Sequence, residues 1–438
     1  MTLVQNLKRY IDEEEYDKVC EAVDLLETEI SNYVPSAQLE AAAKIAEAHY
    51  RIGRFEKVVE LVEGKSPNSE LKFPQLIMVN YVRSKLAVFL GDLKARKAPL
   101  EIPQHIDTLS TSIVEAVCFH FLRNSEARDK AVKDCLDEIK SSNFLSPVLH
   151  LLHFYSLPVD GDEITQVLER VGVSEKPGFL GLANLLETNI RNSKGIQSIF
   201  CSGTARAGTT ALGNMLNVCP DVAMFTELFS PHYGYSSKMF EDDILFSDRF
   251  EKHVHGANNV KTRDAIGPDL KYIGDKRPLF FNSWNITKNN YDPSDLKIIN
   301  IIREPQEVLA SYEKRSGKAK GLKDRWLPDR SSIIAECDMS TQLEVIRDIE
   351  KSEFKSSLKL VNYPDALTEF EVVAEIFDFL EVPLKGDFKA DVEHQVSRNN
   401  GYMRQKEESS KEIEFQFLTK TELGAYRKIL ESGVKSAG

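Results

Sequence analysis

Gly203 and Gly208 stand five residues apart in "SIFCSGTARAGTTALGNML", between an apolar run ending at Cys201 and a helical pattern opening at Thr209. Glycines at that spacing let consecutive backbone amides turn towards an anion, and the strand–loop–helix setting is the one a phosphate loop requires. A nucleotide hydrolase would follow the second glycine with a lysine for the β- and γ-phosphates and a hydroxyl for magnesium. Here Thr209 and Thr210 follow, and the positive charge lies inside the loop at Arg206. Amides, two hydroxyls and one guanidinium suit a smaller anion held without polyphosphate or metal. A structural turn with Arg206 merely solvated is the plain alternative. A second pattern, "KIINIIREPQEVLASYEKR", runs from a buried-strand composition into Arg303, with Ser311 and Arg315 four apart on the helix that follows. Residues at i and i+4 share a helix face, so these groups can converge on a phosphate monoester. The competing outcome is Arg303 pairing with Glu304 or Glu307.

The bulk properties limit what else the chain does. Its 438 residues suggest two domains, and 42% hydrophobic with 28% charged residues describes a globular protein. A net charge of −12 disfavours nucleic acid and anionic membranes as partners, because both demand cationic surface. The N-terminus lacks a signal-like apolar core and no stretch of about 18 apolar residues occurs, so the expected location is cytoplasmic with no membrane span. Six scattered cysteines without metal-ligand spacing read as buried thiols, and no metal is expected.

Two textures position the motifs. Residues 1–195 are helical throughout, with aromatic-then-turn junctions around Glu15, Gly53, Gly91, Asn124 and Gly161, separated by 38, 38, 33 and 37 residues. That spacing lies near the period of tetratricopeptide (TPR) helix pairs and predicts an all-α, TPR-like helical-repeat domain able to bind a protein partner or self-associate. Residues 196–438 alternate short apolar runs with helices, the texture of an α/β domain with a parallel sheet. Strands are predicted at Ile199–Cys201, Val222–Phe225, Leu296–Ile302 and Leu358–Tyr363, and helices at Thr209–Val218, Pro305–Lys314 and Glu369–Leu380. Ser230–Pro293 reads as irregular and rich in aromatics, suited to substrate contacts.

With its strand and helix in place, "TARAGTT" resembles the 5′-phosphosulfate-binding loop of sulfotransferases that use 3′-phosphoadenosine 5′-phosphosulfate (PAPS), and the Arg303–Ser311 spacing resembles the same family's 3′-phosphate motif. The resemblance covers roughly residues 195–430 and implies a P-loop-like three-layer parallel sheet. It implies PAPS as donor, adenosine 3′,5′-bisphosphate as co-product, and sulfuryl transfer to an acceptor hydroxyl or amine without a metal. Arg206, Ala207, Gly208, Thr209, Thr210 and Ala211 would hold the phosphosulfate; Arg303, Ser311 and Arg315 the 3′-phosphate. "YIGDKRPLF" is similar to the family's KxP segment and implies an active-site role for Lys276. "LKLVNYPDAL" is similar to its strand–Tyr–helix segment and would place Tyr363 near the nucleotide. "HQVSRNNGYMRQ" resembles the loop that closes over the cofactor, with Ser397, Arg398 and Gly401 as contacts.

The arginine in the first loop is similar to that of bacterial and tyrosylprotein sulfotransferases, and this implies a glutamate base. "VAMFTELFSP" places Glu227 there, 21 residues after Arg206. His253 and His255 are the other candidates for the base, and for Glu227 the alternative is a cap or an ion pair. Two other functions fit parts of the sequence: a degenerate P-loop kinase, which lacks an apolar strand ending in aspartate, and a helical-repeat interaction protein with an inactive nucleotide fold. The acceptor, whether metabolite, glycan or peptide, has no decisive signature.

Overall fold

The computed structural model describes residues 3–13, 15–29, 35–63, 75–94, 108–139, 142–155, 157–159, 161–171, 195–228, 262, 266, 270–316, 330–404 and 413–433. The chain forms two compact units, residues 1–157 with 313–333, and residues 158–312 with 334–438.

The first unit contains helices α1 (Leu3–Asp12), α2 (Tyr16–Glu29), α3 (Pro35–Arg51), α4 (Phe55–Glu63), α5 (Gln75–Lys94), α6 (Thr108–Phe121), α7 (Ser125–Glu138) and α8 (Ser142–Phe154). Each of α1 to α6 packs on its successor, and α3 also packs on α5. The turn at Gly53 has a chemical cause. Arg54 donates its amide to the His49 carbonyl at 2.9 Å and Gly53 to that of Tyr50 at 3.1 Å, while Gly53 sits at φ 75°. This is the Schellman ending, which needs a left-handed residue just past the helix. The α6–α7 junction repeats it with Arg123 at φ 59°, and Asn124 then caps α7 by accepting the Ala127 amide at 3.1 Å. Gly91 behaves otherwise than expected, since α5 continues through it to Lys94. One helical glycine costs only about 1 kcal/mol, which the packing of a 20-residue helix overrides.

In the second unit α9 (Gly161–Val171) precedes β1 (Gln197–Ser202), α10 (Thr209–Leu216), β2 (Val222–Thr226), β3 (Tyr272–Lys276), the short α11 (Trp284–Thr287), β4 (Leu296–Ile302), α12 (Pro305–Ser316) and α13 (Ser332–Lys351). There follow β5 (Leu358–Asn362), α14 (Asp365–Thr368), α15 (Phe370–Phe379), α16 (Gly386–Arg404) and α17 (Lys420–Gly433). The five strands are all parallel in the order β2-β3-β1-β4-β5. Side chains alternate along each strand: Ile199, Cys201, Ile299 and Ile301 face a core with α10 and α15, whereas Phe200, Ile298 and Ile273 face one containing Trp284, Ile349 and Phe354. Apolar runs buried on both faces are what a covered parallel sheet demands.

Two expectations need correction. The stretch expected to be irregular contains β3, beside the central strand. Gly274 and Asp275 interrupt its apolar pattern, yet a Cβ on Gly274 would lie 1.6 Å from the Ile199 carbonyl oxygen, so the close approach of β3 to β1 requires glycine. "HQVSRNNGYMR" is not a loop but part of α16. Asn399 and Asn400, residues that elsewhere favour turns, instead donate to the Leu367 and Thr368 carbonyls at 3.1 and 2.9 Å and dock the helix on α14.

Candidate functional site

Every strand of the sheet delivers a residue of these motifs at or just beyond its carboxyl end, where ligands bind in open α/β sheets. Gly203 follows β1, Glu227 follows β2, Lys276 ends β3, Arg303 follows β4 and Tyr363 follows β5. Register sets them level, with Lys276 opposite both Cys201 and Thr226.

The loop after β1 is tightly constrained. A Cβ on Gly203 would lie 2.6 Å from the Ile301 carbonyl oxygen. Gly208 caps α10 at φ 102°, ψ 8° and makes no side-chain cap hydrogen bond. The first amides of a helix have no intrahelical partner, so this start turns donors and the helix dipole towards an anion. Thr209 is buried and Thr210 exposed, with Ala207 buried and Ala211 half-buried beside them. The Tyr363 ring covers the loop, its Cδ2 only 2.6 Å from where a Gly208 Cβ would be. Burial pushes the Tyr363 phenol above its ordinary value, the Arg303 guanidinium opposing.

Arg206, itself left-handed at φ 71°, joins the two motifs. Its Nε donates to the Ser311 hydroxyl at 3.2 Å, and its carbonyl accepts from Arg303 Nη1 at 2.9 Å. The Arg303 guanidinium also lies over the Tyr363 ring, 4.4 Å from its centroid. The ion pair that sequence weighed against ligand binding is present: Arg303 Nε and Nη2 reach a Glu307 oxygen at 2.7 and 2.6 Å. Arg315 lies one turn beyond Ser311 on α12 and is half-buried.

Lys276 packs along α10, its Cβ 3.2 Å from a Cβ placed on Gly213. Its ammonium meets Glu227 Oε1 at 2.5 Å; the lysine side chain is 3% exposed and the glutamate side chain 45%. Glu227 adopts φ 52°, held by its amide to the Lys276 carbonyl at 3.1 Å and by the Leu228 amide to Asp275 at 3.2 Å. Left-handed backbone at a non-glycine residue costs of order 1 kcal/mol and clusters at functional sites. It aims an acidic side chain out over the strand ends.

Sequence reasoning passed over the residues that hold the loop. Thr204 donates to Gln342 Oε1 at 2.6 Å, Tyr426 donates to the same oxygen at 2.8 Å, and Gln342 donates onward to Asn300 at 2.8 Å. Only the polarity of Asn300 within the "KIINII" strand signals such a network. Ser397, Arg398 and Gly401 lie on the exposed side of α16. His253 and His255, and the aromatic and basic residues between 229 and 261, fall outside the described residues.

The arrangement can bind two anionic groups, one at the α10 start and one at the Arg303–Ser311 edge, with a carboxylate beside the first. A family model described as a sulfotransferase domain matches residues 197–434. Among solved structures, that of a sulfotransferase from Mycobacterium avium is similar at 9% identity and a TM-score of 0.30, over 87% of this chain and 96% of that one. No helix of the described residues is long and apolar enough to cross a membrane.

Proposed function

Since the chain belongs to the sulfotransferase domain family, we propose that it moves a sulfuryl group from PAPS to an acceptor hydroxyl or amine. The observation that carries this reading is the uncapped start of α10 joined through Arg206 to the Arg303–Ser311 edge. Two anion-binding edges joined through one loop residue suit a nucleotide with separate 5′ and 3′ groups. The residues present fit that donor: glycine at 208 lets the Tyr363 ring close directly on the loop, and that ring lies near the Arg303 and Arg206 guanidinium groups.

The donor supplies a sulfur already bonded to a good leaving group. The α10 amides with Thr209 and Thr210 orient the 5′-phosphosulfate, and Arg206 and Lys276 stabilise charge growing on the bridging oxygen. Glu227 accepts the proton of the acceptor as its oxygen or nitrogen bonds to sulfur. The sulfur–oxygen bond to the phosphate breaks, and its electron pair leaves with adenosine 3′,5′-bisphosphate. Lys276 exchanges the Glu227 carboxylate for the leaving phosphate oxygen, which frees Glu227 at the moment a base is required. Protein cations serve because a sulfuryl group carries less charge than a phosphoryl group.

Thermal unfolding tests the reading. Adenosine 3′,5′-bisphosphate is expected to raise the melting temperature of the wild type, ATP with magnesium to leave it unchanged, and Arg303→Ala to abolish the shift. Stabilisation by ATP with magnesium alone would favour a kinase, and no shift with either would leave an inactive nucleotide fold.

A further inference from the structure

Arg303 is held on three sides. Its Nη1 donates to the Arg206 carbonyl at 2.9 Å, its face rests on Tyr363, and its Nε and Nη2 converge on Glu307 at 2.7 and 2.6 Å. With Nη1 engaged by the Arg206 carbonyl, the Nε and Nη2 edge is the bidentate fork this guanidinium has left to offer a phosphate, and it already carries a carboxylate. The two partners differ in freedom: the Arg303 side chain is 13% exposed and that of Glu307 46%. Glu307 is therefore the one that can leave, since its side chain is half in water and its carboxylate enters no other hydrogen bond among the described residues. Glu307 and Ser311 are i and i+4 on α12 and share a face. The carboxylate thus stands at the place an anion bridging Arg303 and Ser311 would take.

We infer that Glu307 is a specificity-determining residue: its carboxylate occupies the Arg303 fork in place of the donor's 3′-phosphate and must withdraw for that phosphate to bind. This rests on the PAPS reading above. A nucleotide without a 3′-phosphate has nothing to place in the fork and gains nothing from displacing Glu307, whereas a 3′-phosphate dianion takes over both guanidinium donors. Glu307 weakens 3′-phosphate binding by competing for the fork and by repelling the incoming charge, and it keeps the buried arginine paired when the site is empty of nucleotide.

Calorimetric titration of the full chain with adenosine 3′,5′-bisphosphate and with adenosine 5′-monophosphate tests this in wild type, Glu307→Gln, Glu304→Gln and Arg303→Ala. The Glu307 variant is expected to bind the bisphosphate roughly three- to fivefold more tightly, the upper scale of a half-exposed ion pair, with the monophosphate unchanged. Glu304→Gln changes the net charge equally, one position from Arg303 but outside its fork, and is expected to leave both affinities within twofold. Arg303→Ala should erase the preference between the ligands. Unchanged or weaker bisphosphate binding by Glu307→Gln, with the wild-type preference intact, overturns the inference alone and makes Glu307 a support for Arg303. Equal tightening by Glu304→Gln overturns it in favour of net charge. Failure of the wild type to prefer the bisphosphate overturns the PAPS reading and this inference with it.

Discussion

Replacing Gly208 by alanine attacks the site through its backbone and its packing together. At φ 102° an L side chain is strained, by about 1–2 kcal/mol. The new Cβ would lie 2.6 Å from Tyr363 Cδ2, 3.0 Å from Cε2 and 3.3 Å from Ile301 Cδ1, against about 3.5–4.0 Å for relaxed carbon contacts. The ring must retreat by about 1 Å, but Arg303 lies over it 4.4 Å away, so the movement disturbs the arginine as well. Overpacking of this kind costs about 1–3 kcal/mol, which brings the total to roughly 2–5 kcal/mol. For a unit of this size that lowers the melting temperature by roughly 5–15 °C. Differential scanning calorimetry should show the loss in the sheet-containing unit, and adenosine 3′,5′-bisphosphate should no longer stabilise it. Gly424→Ala is the control: this glycine lies in α17 with nothing within 4 Å of a Cβ, so alanine should be neutral or stabilise by up to about 1 kcal/mol. A Gly208→Ala protein that melts with the wild type and keeps the ligand shift would refute the reasoning.

Two further outcomes are expected. Glu227→Gln should lower kcat by about 10²- to 10⁴-fold with bisphosphate affinity within a few-fold of wild type, as for loss of a general base; retained turnover in a PAPS assay would remove Glu227 from that role. In the helical unit, burial foremost, then Arg128 and Arg123, push the half-buried His120 imidazole down to about 3. The folded state therefore binds fewer protons than the unfolded chain between about pH 6.5 and 3, and stability is complete above that window and falls on acidification through it. Urea unfolding should show about 2 kcal/mol lost from pH 7 to pH 5, a slope that His120→Gln flattens; an identical slope in the variant would assign the acid sensitivity elsewhere.

The candidate loop residues were legible because anion-binding chemistry constrains such residues locally. Glycines five apart, an arginine between them and hydroxyls after them are a contiguous signal, and so is an apolar strand running into Arg303. β1, β2, β4 and β5 were readable for a related reason, since packing on both faces of the sheet leaves short, mostly apolar runs. β3 was hidden by Gly274 and Asp275, whose reasons for being there, contact with Ile199 and with the Leu228 amide, belong to other segments. The loop resemblance of "HQVSRNNGYMRQ" misled because α14 offers the Asn399 and Asn400 side chains carbonyls more than 30 residues away in sequence, which dock the segment as a helix.

Sequence by itself thus determined which chemical groups the chain carries into the site, the parallel α/β class of one half and the helical character of the other. Only the tertiary structure decided which groups meet. Arg206 could reach Ser311 and Glu227 could claim Lys276 because parallel pairing aligns the ends of strands far apart in the chain, whereas the hold of Glu307 on the Arg303 fork is local, four residues along the chain. Local spacing sets what a loop can bind. Distances between loops depend on strand order and register, and these follow from packing both faces of the sheet at once.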